Sequence, residues 1–202
     1  MDSPPTQPAS PYFKPMTLAL AGLAVLAAAS ALLPQDVRPW YFAAIGALAL
    51  FATARLRFPV ALLLIAAAVA VKEVGVYLQY GFAPHPPTWF CLAGYAVFGW
   101  ALLRKSESPL RIGATTVGAS LLFFLTTNFL SWIEQAAPYG YSFAGLLNCY
   151  AAGIPFYRGT FLGDTAFAAG LFGSHAVLSH AYFPAERVSA VTASVNETEG
   201  NW

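Results

Sequence analysis

The chain has 202 residues, of which 58% are hydrophobic and only 9% are charged. Soluble domains carry about 25% charged residues, so the composition argues against a soluble globule and predicts an integral membrane protein. The formal net charge of +1 leaves no broad basic surface and argues against nucleic-acid binding. Cys91 and Cys149 lack CxxC or metal-ligand spacing, and we expect no cofactor and no metal site.

Hydropathy along the chain predicts six membrane-spanning helices, because the apolar runs approach the ~20 residues that cross a bilayer. The runs cover residues 16–33, 40–56, 59–80, 88–104, 110–132 and 161–183. Prolines lie between them, among them Pro59 and Pro109. The predicted fold class is all-α, an integral membrane bundle of six transmembrane helices within residues 16–184. Residues 1–15 and 185–202 are expected to be disordered tails.

The first run has a second reading as a cleaved signal peptide. "AAAS" at residues 27–30 offers an A-x-A-like cleavage site. The length of the run and the single preceding cation, Lys14, favour a retained membrane span.

The connection between the fifth and sixth spans is too apolar for a free loop. Its apolar residues recur at i, i+3, i+4 and i+7 from Phe143 to Tyr150, which is typical of one face of an amphipathic helix. We therefore expect a short interfacial helix between spans 5 and 6. An irregular return to the sixth span is expected around Pro155.

The distribution of cations predicts the orientation. Seven lysines and arginines fall on the side shared by the two tails and the 2–3 and 4–5 loops, against two on the other side. An excess of lysine and arginine marks the cytoplasmic side. The protein is therefore expected in the inner (cytoplasmic) membrane with both termini in the cytoplasm.

This orientation predicts an outward-facing pocket. Lys72 lies about 20 Å along the third span, Asn128 lies at a similar depth on the fifth, and Asp164 is expected just inside the outer boundary. Ionisable groups inside a membrane are costly and mark functional sites by default. The candidate ligand-binding residues are Lys72, Glu73, Tyr77, Asn128, Trp132, Asn148, Tyr150, Arg158 and Asp164.

Structural roles stay open for the same residues. Lys72 and Glu73 point about 100° apart around a helix, so they are not expected to face each other. Either could pair with a group on another helix. The rim tyrosines and Trp132 also fit an interface belt, and Asn128 fits a bond to a neighbouring helix.

Signals for an enzyme are weak. Ser174 and His175 are adjacent, so their side chains do not face each other on a helix. The sequence contains no HExxH pair, no GxSxG elbow and no phosphate-binding GxxxxGK[ST] loop. We therefore expect no enzymatic activity, and active transport would need energy from a partner or an ion gradient.

Three stretches of the chain resemble a family of small bacterial membrane proteins of uncharacterised function. They are "GALALFATARLRFPVALLLIAAAVAVKEV", "LLFFLTTNFLSWI" and "YGYSFAGLLNCYAAGIPFYRGTFLGDTAFAAGLFG". The resemblance covers about residues 40–175. Its hallmarks here are Ala49-Leu50-Phe51, Phe124, Asn128-Phe129, Trp132, Gly145-Leu146-Leu147, Cys149-Tyr150, Pro155-Phe156 and Gly163-Asp164.

In its six-helix organisation, that family is similar to the substrate-binding S components of energy-coupling-factor (ECF) vitamin transporters. The similarity implies an outer pocket for a small molecule, and docking onto a membrane coupling protein and ATPase subunits. Small residues on the first span serve for docking in such proteins, and Ala24, Ala28 and Ala31 are the candidates here. One departure is Lys72-Glu73, where the family usually has a Ser-Asp-like step, and Lys72 would alter the charge of a pocket.

Two functions therefore compete. The first is a small-molecule-binding, ECF S-component-like subunit for uptake, with the lipid bilayer, a coupling protein and ATPase subunits as partners. The alternative is a non-catalytic structural or assembly protein of the membrane without a ligand.

Overall fold

A computed structural model describes residues 15–29, 42, 44–81, 86–134 and 138–182. Every secondary-structure element in these ranges is helical, which confirms the all-α prediction. The helices are α1 (Pro15–Ala29), α2 (Ile45–Arg55), α3 (Phe58–Tyr80), α4 (Pro86–Phe98), α5 (Pro109–Glu134) and α6 (Phe143–Val177). The helical path continues through π-helical turns at Gly99–Leu103 after α4 and at Leu178–Tyr182 after α6.

Helix ends follow local chemistry. Proline stands in the first turn of α3, and Pro109 begins α5, where its missing N–H costs nothing. Helix α3 ends at Gly81, whose φ of 71° is the left-handed conformation that glycine adopts without strain. Helix α6 begins after Ser142, whose hydroxyl accepts the N–H of Gly145 at 3.0 Å.

Helix α2 is the centre of the bundle. Its residues from Ile45 to Ala54 are all buried, and it packs against each of the other five described helices. Small side chains permit this close packing: a Cβ atom at Gly99 would collide with the Thr53 side chain and the Leu50 carbonyl of α2. A helix that is apolar on every face is buried on every face.

The C-terminal end of α2 is tied to its neighbours by Arg55. Its guanidinium donates to the carbonyl oxygens of Leu103 at 2.7 Å and Ser106 at 2.5 Å. It also lies 5.1 Å from the centre of the Phe172 ring. The orphan carbonyls after α4 thereby receive donors, and α2, α4 and α6 are held together at this end.

The expected short interfacial helix is wrong. The segment after Phe143 is the beginning of α6, which runs 35 residues without a break and contains Pro155. The ring of Phe124 on α5 packs against Tyr150 at 5.8 Å and Tyr157 at 4.6 Å, on both sides of that proline. This packing offsets the hydrogen bond that proline removes, so the helix continues where sequence rules predict an interruption.

Three helical stretches are long and apolar enough to cross a bilayer. They are Phe58–Gly75, Pro109–Glu134 and Phe143–Tyr182. Shorter apolar helices occur at Leu18–Ala27, Ile45–Arg55 and Leu92–Leu103. The membrane character is thus supported by three candidate spans, and the six-span topology stays a prediction. The predicted tails, residues 1–15 and 185–202, lie outside the described residues, except that Pro15 is the first residue of α1.

Candidate functional site

Three buried polar side chains from three helices meet near the N-terminus of α2. Asp164 of α6 is 1% exposed, Tyr95 of α4 is 2% exposed and Ser120 of α5 is fully buried. The Tyr95 hydroxyl donates a hydrogen bond to Asp164 Oδ2 at 2.5 Å. We call these three side chains, with the backbone N–H of Ala47, the Asp164 cluster.

Asp164 closes the N-terminus of α2 from another helix. The first N–H groups of a helix have no partner within it, and Ala44, which precedes α2, has no side chain that could accept them. The Asp164 carboxylate instead accepts the N–H of Ala47 in the first turn. The positive end of the helix dipole adds a favourable interaction with a carboxylate there.

Gly46 makes the close approach of Asp164 possible. A Cβ atom at position 46 would collide with Asp164 Oδ1 and would lie 2.7 Å from the Tyr95 ring. Any larger residue would push the carboxylate and the phenol away from the helix end. A glycine in the first turn of α2 is therefore part of the site.

Ser120 is the member of the cluster without a settled hydrogen bond. Its hydroxyl lies close enough to interact with both the Tyr95 hydroxyl and the Asp164 carboxyl. Its geometry nevertheless satisfies no hydrogen bond within the described part of the chain. A hydroxyl can donate or accept as it rotates, so this group is available to a proton or a ligand at Asp164.

No described residue supplies Asp164 with a counter-charge. Among the described residues, the groups that interact with its carboxyl by hydrogen bonding are Tyr95, Ser120 and the Ala47 N–H. No lysine or arginine is among them. Arg55 lies at the far end of α2, about 14 Å away along the helix axis. Within the described part of the chain, dipoles alone stabilise this buried carboxyl.

A cavity of about 100 Å³ lies beside the cluster, between α4 and α5. Tyr95 belongs both to this cavity and to the cluster. The lining residues are Gly94, Tyr95, Phe98, Ala119, Leu122, Phe123 and Thr126. Tyr95 and Thr126 carry its only side-chain hydroxyls, and the other lining side chains are apolar. The space is well below the ~300–1,000 Å³ of pockets that enclose a drug-sized ligand.

The predicted depth of Asp164 changes with the length of α6. The helix begins at Phe143, about 31 Å before Asp164 at 1.5 Å per residue. Asp164 is therefore not at the entrance of its helix. On α5, Asn128 lies about 12 Å beyond Ser120, so Asn128 and the Asp164 cluster occupy different levels.

Lys72 and Glu73 form an ion pair with each other, with 2.8 Å between Nζ and Oε1. The expectation that they would not face each other is wrong, because the long lysine chain folds back across the 100° between them. Glu73 is 6% exposed, whereas the Lys72 side chain is 31% exposed. Helix α3 packs mainly on α1 and α2, so the pair is a polar group separate from the Asp164 cluster.

Three predicted site residues hold the α5–α6 hairpin together instead of meeting at Asp164. Asn128 donates to the Phe124 carbonyl at 2.8 Å and packs on Gly153, where a Cβ would collide with it. The Tyr150 hydroxyl donates to the Leu125 carbonyl at 2.9 Å, and the Trp132 ring N–H donates to the Gly140 carbonyl at 3.0 Å. The other predicted residues on α3 and α6, Tyr77, Asn148 and Arg158, are exposed.

The predicted docking residues are placed only in part. Ala24 is fully buried and packs with Leu48 and Ala68 of the same chain. Ala31 and the side chain of Ala28 lie outside the described residues. In this structure Ala24 therefore serves helix packing within the chain.

Tyr95, Ser120 and Gly46 are the site residues that sequence reasoning missed. Each stands in an ordinary apolar run: "LAGYAVF", "VGASLLFF" and "AAIGALAL". A tyrosine in the middle of an apolar run, next to no interface signal, is the one hint that the sequence contains. Their convergence depends on how four helices pack.

A bundle of apolar helices, three of them long enough to cross a bilayer, defines an all-helical protein of membrane type. The chain belongs to DUF6580, a family of unknown function, whose family model matches residues 12–189. The predicted membership of an uncharacterised family is thereby confirmed. No curated protein and no solved structure matches the chain, so the similarity to ECF S components stays a prediction.

Proposed function

We propose that the protein is an integral protein of the cytoplasmic membrane that binds a small polar solute for uptake, with the Asp164 cluster as the core of its site. The observation that carries the proposal is a buried carboxyl beside a cavity, with no counter-charge among the residues that the structure describes. Ionisable groups inside membrane bundles are rare, and they mark solute and ion pathways by default.

The cations support a membrane position for the cluster. They collect where α2 meets α3 and where α4 meets α5, at Arg55, Arg57, Arg104, Lys105 and Arg111. With this end at the cytoplasmic surface, Ser120 lies about 14 Å along α5 from Arg111. That depth is near the middle of a hydrocarbon layer about 30 Å thick.

The length of α2 supports the same proposal. Its 11 residues extend about 16 Å, half the thickness of a bilayer core, so its N-terminus would fall at mid-depth. Secondary transporters use the N-termini of such half-helices to bind charged groups near the midplane. Here the end of the half-helix, a carboxylate and a free hydroxyl share one site.

The cavity limits what can bind in this conformation. About 100 Å³ suits a small solute or hydrated ion better than a vitamin. An ECF-like arrangement, with a membrane coupling protein and ATPase subunits as partners, remains part of the proposal as the source of energy. Termini on the cytoplasmic side and a function without enzymatic activity are also part of the proposal.

Native mass spectrometry of the detergent-purified protein tests the proposal. We expect a small bound mass in the wild type, its loss in Asp164→Asn, and its retention in Glu73→Gln, the matched buried acid outside the cluster. Ser120→Ala is a second variant in case Asp164→Asn does not fold. A solute that remains bound to folded Asp164→Asn would place the site elsewhere. Folded wild type that binds nothing in a screen of vitamins, metal ions and small polar solutes would refute solute binding.

A structural function is the second candidate, and one observation favours it. Asp164 supplies the N-terminal cap of α2, as Arg55 supplies donors at the opposite end. If stabilising the central helix is its whole role, Asp164→Asn will lower thermal stability while every solute-binding measurement stays unchanged.

A further inference from the structure

The Asp164 carboxyl has no positively charged partner in the part of the chain that the structure describes. An isolated carboxylate in an apolar interior is strongly unfavourable, and such groups usually neutralise themselves by taking up a proton. Tyr95 and the Ala47 N–H provide two donors, but no described residue adjoining Asp164 carries a positive charge. A proton taken up by the carboxyl would neutralise it.

We propose that Asp164 is a proton-exchange site, loaded through the Tyr95 hydroxyl from the cavity between α4 and α5. The inference deepens the proposed function, on which it rests for the position of the cluster in the membrane. Proton exchange at Asp164 would couple uptake to a proton gradient. This chain has no phosphate-binding loop, and it could use such a gradient directly.

Tyr95 is the only residue that the cluster and the cavity lining share. A hydronium ion in the cavity gives a proton to Tyr95 Oη, while the Tyr95 O–H bond breaks and its proton forms a new O–H bond at Asp164 Oδ2. One bond forms and one breaks at Oη, so the phenol is neutral before and after. The carboxylate becomes a neutral carboxylic acid, and a water molecule remains in the cavity.

Ser120 suits both protonation states. When Asp164 is ionised, the Ser120 hydroxyl can turn to donate to it; when Asp164 is protonated, the same oxygen can accept its new O–H. This explains why a fully buried hydroxyl has no fixed partner in the cluster. A serine committed to a backbone carbonyl could not serve in this way.

The other helices around the cluster leave the proton no nearer acceptor among the described residues. Helix α2 contributes the Ala47 N–H, and its nearest charged side chain, Arg55, is about 14 Å away along the axis. On α6 itself, Tyr157 lies near enough to Tyr95 for an electrostatic interaction between the two side chains. His175 lies about 16 Å along the helix from Asp164. The described residues of α1, Pro15–Ala29, contain no titratable side chain.

Infrared difference spectroscopy of the full-length protein in lipid vesicles tests the proposal, with bulk pH as the variable. The carbonyl stretch of a protonated carboxylic acid should appear as pH is lowered in the wild type, be absent in Asp164→Asn and persist in Glu73→Gln. Ser120→Ala should shift its frequency, because the acid loses a hydrogen-bond partner. Tyr95→Phe should retain the band but slow its hydrogen–deuterium exchange by about 100-fold, the contribution of a typical proton relay.

Three outcomes would overturn the proposal. A band that never appears over the pH range in which the protein is folded means that Asp164 does not change its protonation state there. A band that persists in Asp164→Asn belongs to another acid. Wild-type exchange rates in Tyr95→Phe would refute the route through Tyr95. None of these measurements needs a solute, so a titrating band without any bound mass would support proton exchange while refuting solute binding.

Discussion

Glu73 and Asp164, the two buried carboxyls in the described ranges, have opposite surroundings. Glu73 lies on α3 beside a lysine that neutralises it at 2.8 Å, and that lysine is partly exposed. Asp164 lies on α6 among a phenol, a serine hydroxyl and a helix end, with no basic partner among the described residues. The first is a closed ion pair, whereas the second has no positive partner within the described ranges.

This difference shows why conspicuous charge in a sequence is a poor guide to a site. Two adjacent opposite charges attract attention, yet they can satisfy each other without any ligand. A single aspartate at the position where helices cross has no such local solution. No described neighbour balances its charge, which makes the less conspicuous residue the better candidate for function.

Replacing each acid by alanine should give the largest difference in stability between the two sites. Asp164→Ala leaves the buried Tyr95 hydroxyl and the Ala47 N–H without an acceptor, and each such group costs about 1–3 kcal/mol. We expect a loss of about 2–5 kcal/mol in the free energy of unfolding. Glu73→Ala should cost less, because Lys72 can extend toward solvent or lipid headgroups.

Reversible unfolding in mixed micelles, followed by circular dichroism, measures both values. Equal losses for the two variants would show that the two carboxyls are alike in their energetics, contrary to the structural difference between them.

Gly46→Ala should have the next largest effect, because the added methyl group collides with Asp164 Oδ1 and the Tyr95 ring. Overpacking of this kind costs about 1–3 kcal/mol. Gly118→Ala is the matched control: it lies within α5 with open space around it, so it should stabilise the helix by about 0.5–1 kcal/mol. Thermal denaturation of both variants shows whether each substitution raises or lowers the stability. If Gly46→Ala is as stable as Gly118→Ala, the close approach of α2 and Asp164 is not tight.

The helical class and the membrane character could be predicted from composition and hydropathy, because both depend on local runs of residues. The continuity of α6 could not, since the packing of Phe124 from another helix against Tyr150 and Tyr157, on both sides of Pro155, is not a local property of the sequence. Asp164 could be named as a polar residue in an apolar run. Its partners could not be named, because Tyr95 and Ser120 reach it from α4 and α5, and only the packing of four helices brings them together.

Tyr95→Phe sharpens the comparison by removing a single hydroxyl from the cluster. A hydrogen bond to a charged group contributes about 1.5–3 kcal/mol, and one between neutral groups about 1 kcal/mol. We therefore expect a loss of about 1–2 kcal/mol, because Asp164 keeps the Ala47 N–H and can gain Ser120. Tyr77 is an exposed residue of α3, so Tyr77→Phe should leave the free energy of unfolding unchanged in the same experiment. A loss for Tyr77→Phe as large as that for Tyr95→Phe would mean that the effect is not specific to the cluster.

The smallest effect is expected for Glu73→Gln, which keeps the shape of the side chain and removes only its charge. The lysine partner is about one-third exposed, and ion pairs with a solvent-accessible member contribute about 0–1 kcal/mol. The free energy of unfolding should therefore fall by less than about 1 kcal/mol, and solute binding should be unaffected. Loss of the bound mass in Glu73→Gln, with Asp164→Asn still binding, would reverse the comparison. It would mean that the ion pair on α3 opens to receive the ligand and that the Asp164 cluster is the structural one.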